Sequence, residues 1–126
     1  NYFDRSDNAF ISAYRQHKKS GDFEVKVEYM SSPELAERTV ILCDPMLASG
    51  ASMVLALEAL LTRGKPKHIH IVAVIASIEG VQYVKENVPT QNCTLWLGAE
   101  DAEMTAQSYI VPGLGDAGDL AFGEKM

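Results

Sequence analysis

Residues 40–52, Val-Ile-Leu-Cys-Asp-Pro-Met-Leu-Ala-Ser-Gly-Ala-Ser, carry an apolar strand into an acid and then into a small-residue turn that opens a helix. The first backbone N–H groups of a helix have no internal partner, and they point out of its N-terminus with the positive end of the helix dipole. Ser49, Gly50, Ala51 and Ser52 carry little bulk, so an anion can approach their amides, and the hydroxyls of Ser49 and Ser52 add donors. Asp44 is expected at the carboxyl end of the strand, where open parallel sheets place their ligands. Its acceptor-only carboxylate suits paired hydroxyls such as those of a ribose. The same residues also read as a strand ending in an Asp-Pro turn, followed by a serine-capped helix with no ligand, and spacing alone weighs the two equally.

Outward from this stretch, strand and helix signals alternate. Thr39 to Cys43 reads as a strand, and Ser52 to Arg63 as a helix with only Glu58, Thr62 and Arg63 polar after the cap. A helix so apolar is buried by neighbours, another subunit or both. Gly64 and Pro66 supply its stop. His68 to Ser77 forms an apolar run expected to be buried on both faces, as in a parallel sheet between helices. Glu79-Gly80 leads into a helix over Val81 to Asn87 that Pro89 ends, and Cys93 to Leu97 is a shorter strand. From Gly98 the chain reads as a loop-rich tail containing Gly113, Gly115, Gly118 and Gly123. Upstream, Ala9 to Arg15 and Glu24 to Met30 read as two strands joined by the polar segment Gln16 to Phe23, a projecting hairpin. Ser31 to Glu37 reads as one short helix, capped by Ser32 with Pro33 at its first position. Hairpin, short helix, then strand, helix, strand, helix, strand is the order of an α/β sheet with right-handed crossovers.

Composition narrows the function. A chain of 126 residues with 47% hydrophobic and 22% charged residues is one ordinary soluble domain able to bury a core. Its net charge of −6 argues against a broad nucleic-acid or anionic-membrane surface. A polyanionic ligand must then be met locally, by backbone amides, a few cations and a metal ion. Cys43 and Cys93 lie in apolar runs and are expected as buried thiols rather than a disulfide. No targeting signal and no apolar run of membrane-spanning length is present, so the expected compartment is the cytoplasm. The chain begins at Asn1 rather than Met, and an N-terminal part is expected to be missing. His17, His68 and His70 lack metal-ligand spacing and read as structural or solvated, so no residue is assigned to a metal. Lys18 and Lys19 read as a solvated hairpin tip, and Trp96 and Tyr109 as packing residues. Glu79 comes after a central strand and is a further site candidate at the ligand edge of the sheet.

Two motifs carry a family resemblance. Asp44-Pro45-Met46-Leu47-Ala48-Ser49-Gly50-Ala51-Ser52, together with Tyr109-Ile110-Val111-Pro112-Gly113-Leu114-Gly115-Asp116-Ala117-Gly118-Asp119, closely resembles the uracil phosphoribosyltransferase family. Tyr14-Arg15 and Phe122-Gly123 resemble it too. The resemblance implies a type I phosphoribosyltransferase-like α/β fold, a parallel sheet flanked by helices with a β-hairpin and a C-terminal hood. It implies one such domain over residues 1–126, without the family's N-terminal part. The implied reaction transfers ribose 5-phosphate from phosphoribosyl pyrophosphate to uracil, giving UMP and pyrophosphate, with Mg²⁺ as cofactor. In relatives, the loop matching Leu47 to Ser52 holds the 5-phosphate, and the acid matching Asp44 holds the ribose hydroxyls. Backbone groups matching Ile110, Gly115 and Ala117 grip uracil, the acid matching Asp116 lies near the donor, and an arginine matching Arg15 meets the pyrophosphate side. The likeness also implies a dimer or higher homo-oligomer, with GTP as a candidate activator. Ser49 stands where relatives often have Thr and Ala51 where many have Gly, and relatives take a second pyrophosphate-side arginine from the absent region.

These assignments make chemical sense of the residues. Displacement at an anomeric carbon passes through an oxocarbenium-like state, so the leaving group must be held and its charge neutralised. The Arg15 guanidinium offers a planar fork to phosphate oxygens, and Mg²⁺ is a hard, oxygen-loving partner for pyrophosphate. Gly113, Gly115 and Gly118 let backbone donors and acceptors approach a flat polar ring. Two other readings stand beside the enzyme: a phosphoribosyl-binding module or inactive fragment without turnover, and a generic nucleotide-binding α/β domain. The last is disfavoured, because neither G-x-x-x-x-G-K-[ST] nor G-x-G-x-x-G follows a strand.

Overall fold

A computed structural model describes residues 3–17, 23–88 and 90–123, the side chains of residues 14–17, 23–26 and 90 excepted. The alternating segments near the N-terminus form the expected hairpin, β1 (Phe10–His17) against β2 (Phe23–Ser31), antiparallel, with a register shift between Ser12 and Ala13. Its tip, including Lys18 and Lys19, lies outside the described residues. Next come β3 (Thr39–Leu47), α1 (Ala51–Leu61), β4 (His68–Ser77), α2 (Ile78–Asn87) and β5 (Cys93–Asp101). The three strands make one parallel sheet in the order β3-β4-β5. The tail folds further into a short antiparallel pair, β6 (Glu103–Met104) with β7 (Ile110–Val111), and the helix α3 (Ala117–Phe122).

Because the strand order advances without reversing, two right-handed crossovers place α1 and α2 on the same face of the sheet. That face holds the core: Ile69, Ile71 and Ala73 of β4 pack with Met53, Val54 and Leu57 of α1 and Val81 and Val84 of α2. Burying a side chain such as Leu57 or Ile71 is worth about 1.5–3 kcal/mol. The hairpin leans on α1, so the apolar circumference of that helix is met by sheet, α2 and hairpin together.

The expectation that β4 is buried on both faces is corrected by this topology. His68, His70, Val72 and Val74 point to the face without described helices, where Val74 is 61% exposed. On the same face Cys43 is exposed, and Cys93 on the core face is half-buried, so the two thiols are free but neither is fully buried. Trp96 is 55% exposed rather than packed inside, its indole N–H donating to His70 Nδ1 at 3.1 Å. His68 is bonded to Thr94 Oγ1 at 2.8 Å, so both histidines have partners within the sheet. Tyr109 also lies largely at the surface.

The short helix expected over Ser31 to Glu37 does not form. Its backbone donors are taken by the loop after α1: Leu35 N–H bonds Arg63 O at 2.8 Å and Glu37 N–H bonds Lys65 O at 3.2 Å. Local capping propensity loses to these tertiary partners, and Leu35 is buried by the same docking. Elsewhere the elements run longer than their sequence signals. β3 continues through Pro45 to Leu47 because it is an edge strand, where a missing N–H is tolerated. α2 starts at Ile78 because Ser77 caps it, and β5 extends to Asp101 because it stays paired with β4 to Ser77.

Gly64 is where the segment before β3 meets the loop after α1. It has φ 118°, and a Cβ there would sit 2.5 Å from Glu34 Oε1 and 2.8 Å from the Ala36 backbone nitrogen. Gly64→Ala is expected to destabilise the fold by roughly 1–3 kcal/mol. Thermal denaturation checks this, and an unchanged melting temperature would count against the docking.

Candidate functional site

Three strands end at the carboxyl edge of the sheet, and the turns leaving them build the site. After β3 the chain turns through Ala48 and Ser49 into Gly50, which precedes α1 with φ 79° and ψ −15°. No side chain caps α1, so the serine-capped reading of this turn is set aside. The first bond of the helix is Val54 N–H to Gly50 O at 3.0 Å. The N–H groups of Ala51, Ser52 and Met53 therefore have no acceptor within the helix. The turn opens on a shallow cleft of about 60 Å³, lined by Asp44, Met46, Leu47, Ala48, Ser49, Gly50, Ser52 and Met53. Of the nine consecutive residues from Asp44 to Ser52, only Pro45 and Ala51 stay out of the lining.

Asp44 lies within β3 rather than at its end, and its carboxylate reaches forward to accept the Met46 N–H at 3.0 Å. Burial pushes this carboxyl above the ordinary 3.8, and the Met46 bond opposes the rise without cancelling it. Cys93 is likewise pushed up by burial.

Gly50 has a different reason from the anticipated one. A Cβ there would point at Gly80 O at 2.8 Å and at Tyr83 Cδ1 at 3.2 Å, both in α2. The glycine thus serves a left-handed turn pressed against the second helix.

The junction of β4 with α2 locks onto this turn. Ser77, 1% exposed, donates its hydroxyl proton to the Ala48 carbonyl at 2.6 Å and accepts the Gly80 N–H at 2.8 Å. A Cβ on Gly80 would overlap the Ala48 carbonyl oxygen, so only glycine fits there. Glu79, between them, is exposed in the first turn of α2.

The tail is pinned to the same edge. Asp101, paired in register with Ser77, accepts the Gly113 N–H at 3.0 Å. Ile110 is buried on β7, Gly115 has φ 80° with open space where its Cβ would lie, and Ala117 opens α3. Asp116 Oδ1 caps that helix, accepting from Asp119 N–H at 2.9 Å. Ile110, Gly115, Asp116 and Ala117 do not line the cleft at Asp44 to Met53, although the Asp101 anchor brings their segment to the sheet edge on which it opens. The Arg15 backbone lies on β1, and its side chain falls outside the described residues. Sequence reasoning missed Ser77, Gly80 and Asp101. A serine directly after an apolar strand was a legible cap signal for the first, whereas Asp101 meets Gly113 only through the fold.

Among the described residues, no three His, Cys, Asp or Glu side chains gather as a metal site, and no helix is long and apolar enough to cross a membrane. Known proteins resemble this chain in sequence and fold. The uracil phosphoribosyltransferase family profile matches residues 8–124. A uracil phosphoribosyltransferase of Porphyromonas gingivalis is 53% identical over 126 residues, all of this chain and 58% of that protein. One of Pyrococcus furiosus is 38% identical over 125 residues, 98% of this chain and 52% of that protein. A solved protein of Aquifex aeolicus superposes with a TM-score of 0.79 at 30% identity, over 91% of this chain and 52% of its own. The chain thus spans little more than half the length of these relatives, with a type I phosphoribosyltransferase-like fold of a parallel sheet, flanking helices and an antiparallel hairpin. On a profile that runs almost from end to end, the chain belongs to the uracil phosphoribosyltransferase family.

Proposed function

We propose that this chain carries the donor-phosphate and uracil sites of a cytoplasmic enzyme that transfers ribose 5-phosphate from phosphoribosyl pyrophosphate to uracil, releasing pyrophosphate. The observation that carries the reading is the uncapped start of α1 opening on the cleft beside Asp44. Amides of the turn from Ala48 to Ser52 hold the 5-phosphate, with hydroxyls of Ser49 and Ser52 as added donors. Asp44 accepts from the ribose hydroxyls, and its Met46 bond keeps one carboxylate oxygen aimed. The segment from Ile110 to Ala117 presents backbone groups to the uracil edge, Asp116 faces the donor, and Arg15 meets the pyrophosphate.

Mg²⁺ fits this donor set as an ion carried by diphosphate oxygens and water, since it needs only one or two protein carboxylates. Asp44 is the carboxylate that lines the cleft. When bound, the ion would neutralise charge on the leaving pyrophosphate.

The direct test mixes the chain with phosphoribosyl pyrophosphate and Mg²⁺ and monitors pyrophosphate. Release that depends on uracil and yields UMP is expected, and donor binding without turnover would favour the non-catalytic alternative. Ser52→Glu separates ligand from fold. A negative charge in the first turn of α1 favours the helix by about 0.3–1 kcal/mol, yet it stands where the phosphate goes. The variant is expected to keep its melting temperature while losing more than about tenfold in UMP affinity by calorimetry. Undiminished affinity would sink the phosphate assignment.

Asp44 supplies a pH signature. Its folded carboxyl titrates above the unfolded 3.8, so the folded state holds that proton more tightly. Stability contributed by the protonated form falls as pH rises from 3.8 through the folded value, then levels. Asp44→Asn keeps an acceptor for Met46 and removes the titration. Melting curves from acid to neutral pH are expected to show the variant gaining on the parent as pH rises, while its ribose affinity drops.

A further inference from the structure

The phosphate-binding turn is aimed by a residue outside its own motif. We propose that Ser77, at the end of β4, is the positioning residue of the turn between β3 and α1, and the inference rests on the phosphate reading of that turn.

The chemistry begins with the Ala48–Ser49 peptide. Its carbonyl accepts the Ser77 hydroxyl at 2.6 Å, which holds the oxygen toward β4 and the start of α2. A trans peptide carries its N–H on the side opposite its C=O. Fixing the carbonyl inward therefore turns the Ser49 N–H outward, to the open side of the turn that Ser49, Gly50 and Ser52 line. The Ser77 oxygen accepts the Gly80 N–H at 2.8 Å, which leaves its proton free to be donated to the Ala48 carbonyl.

The two turns meet closely enough that glycine is needed on both sides. Gly80 sits so close that a Cβ would overlap the Ala48 oxygen and lie 2.9 Å from the Leu47 oxygen. Gly50 approaches Gly80 O in return, at 2.8 Å for its own hypothetical Cβ. Ser77 is the only polar side chain among the buried described residues, 1% exposed, so water does not compete for its bonds. Without the hydroxyl, the Ala48 carbonyl would lose its partner, and rotating the peptide toward the cleft would let water replace it. That rotation would withdraw the Ser49 N–H from the ligand.

A plain helix cap would explain the Gly80 bond alone, and a capping serine is worth about 1 kcal/mol of stability. Positioning makes a further demand, that the gain in affinity contributed by the phosphate depend on the hydroxyl. Calorimetry of UMP and of uridine with the full chain reads that gain as a ratio of dissociation constants. Ser77→Ala is expected to shrink the ratio by about tenfold, Ser77→Thr to restore most of it by returning the hydroxyl, and Gly64→Ala, a stability loss at the other end of β4, to leave it unchanged.

A ratio in Ser77→Ala equal to the parent's would overturn the positioning role while leaving the phosphate reading intact. A ratio that falls equally in Ser77→Thr and Ser77→Ala would assign the effect to packing and overturn it as well. Should UMP bind the parent no better than uridine, the phosphate reading itself fails and the inference falls with it. If threonine does not fold at this position, Ser77→Cys, which keeps a weak donor of similar size, is expected to give an intermediate ratio. A cysteine ratio no better than alanine's would again overturn the role.

Discussion

The structure depends on one contact, where the turn after β3 and the junction of β4 with α2 touch through backbone. Gly50 and Gly80 permit the approach, and the Ser77 hydroxyl bonds across it. A helix start without a capping side chain costs stability, and here the start of α1 is held from the side. The cost is offset by the core directly behind it, where Leu47, Met53 and Val84 are almost wholly buried. Rigid support with open amides is the combination that an anion site needs, because donors already aimed need not be reorganised when the ligand arrives.

Sheet topology explains why such different segments converge. Three parallel strands in sequential order send every succeeding turn to one edge and both crossover helices to one face. The cleft comes after β3, Ser77 ends β4, and Asp101 ends β5 while gripping Gly113 of the tail. Neighbouring positions in the ladder, Ser77 and Asp101, thus fasten the two halves of the proposed site. The opposite face carries Ile41, Val74 and Trp96 at the surface, a consequence of the same one-sided layering.

Charge is used locally. A chain with net charge −6 does not attract a polyphosphate by its overall field. In the proposed site, backbone N–H groups would serve instead, since they add no charge to the fold and remain donors at every pH. Asp44 shows the converse strain, a half-buried carboxyl whose charged form the fold disfavours.

Much of this was readable from the chain itself. Period-two alternation over Glu24 to Met30, the apolar run from His68 to Ser77 and the glycine-containing turn at 48–52 determine strands and helix start, because burial periodicity and steric freedom are local properties. The two motifs at 44–52 and 109–119 identified the family for the same reason, as contiguous runs of residues. Tertiary structure decided the rest. The segment 31–37 gives up its helix because its N–H groups bond the loop after α1, and Gly50 is glycine because α2 lies against it. Ser77 with Ala48, and Asp101 with Gly113, are bonds between residues 29 and 12 positions apart. Such partners are chosen by how strands stack and helices cross, and that choice is made by packing the whole domain, which no local pattern of residues encodes.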